Sequence, residues 1–177
     1  CDWGHHSFWS EHFAKSTTSL VWIGCAFPWY GALWRLAGSR TVGFTDRLWR
    51  AYTPAEFWRR YQRPGHDWLC HDVFRLLNRL RRPGLALILT FLLSGLMHEY
   101  IIAISLGHVT GHMLLFFMLQ GLASVLTWRL SLRGPWRLRG LVLTYAFLIA
   151  SSIYFFAPMN DGIAFYTNDI PSWVWPW

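Results

Sequence analysis

Four stretches of the chain are apolar over about the length a helix needs to cross a bilayer, roughly 20 residues. They are Ser16 to Trp34, Gly84 to Leu106, Val109 to Trp128 and Gly140 to Ala157. Only the second carries a charge, Glu99, beside His98. Pro28 predicts a kink in the first, and Pro158 predicts the end of the fourth. Gly107-His108 alone joins the second and third, which predicts a helical hairpin. Between the first two lies a loop, Arg35 to Pro83, with a pattern of its own. Thr53-Pro54-Ala55-Glu56 reads as a helix start: a Thr cap, Pro in the first turn, and Glu placed to close a capping box. Pro64-Gly65 should end that helix. A second helix is predicted from Asp67 to Arg82, with Leu69, Val73, Leu76, Leu77 and Leu80 on one face. Asp72, Arg75, Asn78, Arg79 and Arg82 take the other, the pattern of a helix lying in the membrane interface. The predicted fold is all-α: a polytopic transmembrane bundle of about four spans, one domain over residues 1–177. Residues 35–83 form its loop and 84–157 a three-span unit.

Composition strengthens this picture. Hydrophobic residues make up 54% and charged residues 14%, against about a quarter charged in soluble domains. Too few charges remain to cover a water-facing surface, and too many apolar groups for a disordered chain. Three cysteines do not make a disulfide scaffold. The net charge of +7 is a matter of placement. Of 16 Lys and Arg, eleven lie between Arg35 and Arg82 and four between Arg129 and Arg139, with Lys15 alone before the first span. With four spans those fifteen arginines share one side, which the positive-inside rule makes cytoplasmic. This accounts for the basic excess without nucleic acid as a partner. The C-terminal tail, with Trp173, Trp175 and Trp177, then meets the opposite interface. The chain opens on Cys1, and the expectation is a portion of something longer.

His98 changes the picture from topology to chemistry. It lies about 21 Å along its helix from Gly84, at 1.5 Å per residue, deep in the span. Ionisable groups there are costly and mark functional sites by default. Ser94, one turn earlier on the same face, is placed to hydrogen-bond the ring, and Gly95 lets a neighbour or ligand approach. Burial favours the neutral imidazole that a general base needs. From these residues alone, polar glue between helices is an equal reading.

The motif Ser94-Gly95-Leu96-Met97-His98-Glu99 resembles the histidine motif of the membrane-bound O-acyltransferases. Upstream, Glu56-Phe57-Trp58-Arg59-Arg60-Tyr61-Gln62-Arg63-Pro64-Gly65-His66-Asp67-Trp68 resembles the family's other signature, an aromatic and basic stretch ending in Asn or His. The Glu after the histidine is similar to the wax synthase, sterol and diacylglycerol branch. Members that acylate polysaccharides or proteins usually have Gly there. The resemblance implies a fatty acyl-CoA donor, used as substrate with no cofactor, and a lipid alcohol acceptor. It implies that His98 takes the hydroxyl proton, that Gln62 stands where the family has Asn or His and meets the oxyanion, and that Ser94 or Glu99 orients the ring. Trp58, Tyr61 and His66 would contact substrate. Arg75, Arg79, Arg81 and Arg82 would meet the CoA phosphates at the cytoplasmic mouth. Membrane lipids are the expected surroundings, and a homo-oligomer is left open. The family has more spans than four, so the chain reads as a C-terminal part of the enzyme.

Other candidates are weaker. His108 and His112 are four apart, and His5, His6 and His12 fall on the same outer side, but no cysteine joins them, so no metal is assigned. Cys25 reads as packing. Cys70 carries no marker of an activated nucleophile. A cell-surface glycan acyltransferase and a transporter or scaffold with a proton-relay histidine are the competing functions. The topology is directly testable: single cysteines at the Gly107-His108 turn and at position 133 should be labelled from opposite faces of the membrane, and labelling from one face would refute the arrangement.

Overall fold

The computed structural model describes residues 7–39, 43–78 and 81–174, the side chains of residues 77 and 78 excepted. Expectations placed on His5, His6, Arg79, Leu80, Trp175 and Trp177 fall outside the described residues. Within them, all regular structure is helical. Helix α1 is Phe8–Leu36; after a 3-10 turn at Leu48–Arg50 come α2, Pro54–Arg60, and α3, Arg63–Trp68. A π turn, Leu69–Phe74, leads into α4, Arg75–Asn78. Next come α5, Pro83–Leu106, α6, His112–Thr127, and α7, Trp136–Ser151. Two short helices, α8 (Ile153–Phe156) and α9 (Asn160–Ile163), continue α7 around a 3-10 turn at Ala157–Met159.

By length and composition, two runs among the described residues are apolar and long enough to cross a membrane, Pro83–Leu106 and Trp136–Ile163. Of the other two expected spans, α6 is apolar but has 16 residues, about 24 Å. Helix α1 is long enough at 29 residues, but its Trp, Tyr and Pro dilute the apolar run. The outer faces are those of a membrane bundle. Leu126 and Leu143 are 78% and 70% exposed, and Trp22, Trp29 and Ile104 also face outward, surface that lipid rather than water would cover.

Local sequence signals account for most boundaries. Thr53 Oγ1 accepts from Glu56 N–H at 3.2 Å. Glu56 Oε2 reaches back to the N–H of Tyr52 at 2.8 Å, one residue beyond the expected capping-box partner. Gly107, at φ 81°, closes α5, in a conformation open chiefly to glycine. Three boundaries depart from expectation. Pro64-Gly65 does not end a helix; Pro64 sits in the first turn of α3, where its missing N–H is harmless, and the break falls at Tyr61-Gln62. Helix α6 starts at His112 rather than Val109, because Thr110 and Gly111 give their N–H groups to Glu99. Pro158 opens a 3-10 turn instead of terminating the helix.

The π turn also alters the predicted interfacial helix. Leu69 and Phe74 line the interior cavity with His66 and Cys70, and the extra residue per turn of the π segment offsets the described residues after it, where Leu76 is 58% exposed.

Helix α1 is fastened to the tail by a buried carboxylate. Glu11, five residues before the Ser16 start of the apolar run, is fully buried. It accepts from Lys15 Nζ at 2.5 Å, Thr167 N–H at 2.7 Å and Asn168 N–H at 3.0 Å. Next to it, His12 Nε2 donates to Ile149 O at 2.8 Å, and Nδ1 lies 2.7 Å from Tyr166 Oη. Burial alone would raise the Glu11 pKa, but the Lys15 and tail hydrogen bonds outweigh it and hold it at about 2. Its contribution to stability is therefore complete above about pH 4.5 and is lost as pH falls toward 2. Glu11→Ala should cost on the order of 3 kcal/mol by removing the buried acceptor that Lys15 and the tail N–H groups share, and should flatten the acid limb of a stability-versus-pH curve in detergent; an unchanged acid limb would contradict this role.

Candidate functional site

Helices α5 and α6 pack closely because each offers a glycine to the other's phenylalanine. A Cβ on Gly121 would stand 2.9 Å from the Phe91 Cβ, and one on Gly95 would stand 3.1 Å from the Phe117 Cβ. Small residues at such crossings let backbones approach. The approach brings the His98 ring to 4.5 Å from the Phe117 ring, centroid to centroid.

The expected hydroxyl partner for His98 is replaced by a backbone one. His98 Nδ1 lies 2.7 Å from the Ser94 carbonyl oxygen. A carbonyl only accepts, so Nδ1 carries the hydrogen, and in the neutral ring Nε2 keeps its lone pair. The helix itself thus selects the tautomer.

Glu99 points elsewhere. It is 4% exposed and accepts from Thr110 N–H and Gly111 N–H at 2.6 Å each, Thr110 Oγ1 at 3.0 Å and Met113 N–H at 3.0 Å. These donors lie at the start of α6, where a negative charge is favoured. Among the described residues the carboxylate makes no bond to the His98 ring, and its geometry is that of a clamp across the hairpin.

His98 and Ser94 open onto a cavity of about 680 Å³. Trp58, Tyr61, Gln62 and His66 of the loop signature line the same cavity. Sequence positions some 40 apart are therefore brought to one space. The kink between α2 and α3 does this: Gln62 adopts φ 44°, ψ 57°, the left-handed region where Asn is better tolerated than longer side chains. The kink is held from below by Arg63 N–H to Phe44 O at 2.7 Å and Asp46 N–H to Arg60 O at 3.0 Å. Trp58 anchors the segment, its Nε1–H donating to Gln120 Oε1 at 3.1 Å, while Gln120 Nε2 donates to Ser151 Oγ at 2.8 Å.

Of the arginines expected at the CoA phosphates, the described ones, Arg75, Arg81 and Arg82, do not line this cavity. Arg75 lines a shallow surface pocket with His71, Asp72 and Leu76, Arg82 is exposed at the start of α5, and Arg79 is outside the described residues. Arg59, by contrast, lines the cavity. Sequence reasoning also gave no role to Gln120 or Ser124; a lone amide in an apolar helix was the available signal for the first, and nothing marked the second. Cys70 Sγ lies 3.5 Å from His66 Nε2. Burial first, then the Asp67 charge, push this thiol up, so it is held protonated.

A model of the membrane-bound O-acyltransferase family matches residues 3–157. The chain belongs to this family. It is 36% identical over 90 residues to diacylglycerol O-acyltransferase 1C of Glycine max, 48% of this chain and 17% of that protein. It is 31% identical over 93 residues to diacylglycerol O-acyltransferase 1-2 of Oryza sativa subsp. japonica, 49% of this chain and 19% of that protein. It is 33% identical over 97 residues to sterol O-acyltransferase 2 of Rattus norvegicus, 50% and 18%. The matched stretch thus spans less than a fifth of each relative. No solved structure matches.

A clamp and a catalytic group respond differently to substitution. Glu99→Ala should destabilise the hairpin by roughly 2 to 4 kcal/mol, since several buried N–H groups lose their acceptor, and Glu99→Gln should recover part of that. Thermal unfolding in detergent reports it; a variant as stable as the parent would refute the clamp.

Proposed function

We propose that the complete protein is a membrane O-acyltransferase that moves a fatty acyl group from acyl-CoA to the hydroxyl of a lipid alcohol, with His98 as general base. The observation that carries this reading is the tautomer: Nδ1–H is fixed to Ser94 O, so an Nε2 lone pair is available in a cavity shared with the loop signature. In the reaction the acceptor hydroxyl gives its proton to His98 Nε2 as its oxygen bonds to the thioester carbonyl carbon. The oxyanion that forms meets the Gln62 side-chain amide as donor. Collapse breaks the carbon–sulfur bond, and the CoA thiolate leaves with the proton from the imidazolium.

The family relatives named for diacylglycerol and sterol acylation favour an acceptor of that apolar class, with a long-chain alcohol giving a wax ester as the third choice. Trp58, Tyr61 and His66 shape the acyl and pantetheine space, and Arg75, Arg79 and Arg82 meet the CoA phosphates, with the loop on the cytoplasmic side. A proton-relay transporter is disfavoured by Glu99, whose hydrogen bonds go to α6 rather than to the histidine. A glycan acceptor is disfavoured by the apolar cavity wall of Leu87, Phe91, Phe116 and Phe155.

In the full-length protein His98→Ala should lower ester formation from labelled acyl-CoA by about 10² to 10⁴-fold, with expression and acyl-CoA binding retained. Gln62→Ala should lose at most roughly 3 to 4 kcal/mol of transition-state stabilisation. If His98→Ala turns over at near-normal rate, the histidine is helix glue and the reading fails; His98→Gln, closer in size, covers the case in which Ala prevents insertion.

A further inference from the structure

The cavity wall contains a buried hydroxyl with nothing to bond. Ser124, on the cavity-lining face of α6, is 2% exposed, and its Oγ has no hydrogen-bond partner among the described residues. Such a group costs stability when left unpaired, and an apolar residue would serve packing better. Its polar neighbours are committed. Gln120, one turn before, is shared between Trp58 and Ser151. Thr127, one turn after, donates to Ala123 O and receives the Ala55 N–H. Thr90 across the cavity donates to Ala86 O.

We infer that Ser124 reads the outer amide of the pantetheine arm of the acyl donor. The inference rests on the acyl-CoA reading above and assigns a part of the donor to a residue. From Phe117, which faces the His98 ring, to Ser124 is seven residues, about 10 Å of helix axis. The direction is toward Trp128 and Arg59, which line the loop-side end of the same cavity. In an extended acyl-CoA the thioester carbonyl carbon and the second pantetheine amide are eight bonds apart, also about 10 Å. With the carbonyl at His98 and the nucleotide toward the loop, that amide falls beside Ser124. A serine hydroxyl can donate to the amide carbonyl or accept from its N–H.

The test separates this contact from packing and from the wider reading. Three oleoyl thioesters are compared in the full-length enzyme and in Ser124→Ala: oleoyl-CoA, oleoyl-pantetheine, and oleoyl-N-acetylcysteamine, which ends at the first amide. For the first two, KM should rise about five-fold in the variant with kcat unchanged. For the third, parent and variant should coincide. The ligand-free variant should unfold at the same temperature as the parent or higher, because an unpaired buried hydroxyl has gone. Equal KM changes for all three donors, no change for any, or a lowered unfolding temperature with general loss would overturn the assignment. Absence of turnover by the parent with all three would overturn the acyl-CoA reading itself, and the Ser124 assignment with it.

Discussion

The α5–α6 hairpin is held by one buried carboxylate, and the rest of the site is referenced to it. Glu99 gathers three backbone N–H groups and a hydroxyl at the start of α6. A helix start leaves its first N–H groups without intrahelical acceptors, and the charge complements the helix dipole there. His98 is the preceding residue, so about 100° around the helix separates the clamp from the imidazole. One turn of α5 thereby fixes the hairpin on one side and presents the histidine to the cavity on another.

Two further constraints convert the hairpin into a site. The reciprocal Gly95–Phe117 and Gly121–Phe91 contacts set how near the helices come, and with it the distance of the imidazole from the aromatic wall. The Trp58–Gln120–Ser151 chain then ties α2 to α6 and α7. The loop signature is therefore a docked wall of the cavity, and its position depends on a buried amide in the bundle. The tilt of α3 away from α2 at Gln62 supplies the remaining wall.

The arginines after α6 and at the start of α7 lie over aromatic rings. Arg129 stands over Trp128, Arg137 over Tyr52 and Arg139 over Trp136, at 5.0, 5.5 and 4.8 Å from the ring centroids. Rings of this kind suit the interface between hydrocarbon and water, and the cations reach past them toward the polar side. The same residues that carry the charge asymmetry thus build an aromatic–basic girdle at the base of α6 and α7.

Much of this protein is readable from local pattern. The helical class, the hairpin and the Thr53 cap stem from apolar run length and cap chemistry, and the cost of an ionisable group among apolar neighbours singles out His98 as a candidate. These are properties of residues near one another in the chain. What lay beyond reach was every relation across it. The sequence could not say that Glu99 would bind α6 rather than the histidine, since neighbouring residues on a helix face apart and only the packed turn shows which face each takes. Nor could it say that Pro64 would start a helix, that a π turn would follow Trp68, or that Ser124 would lack a partner among the described residues. Those were decided by tertiary packing, because hydrogen-bond satisfaction and cavity shape depend on groups far apart in the chain meeting in three dimensions.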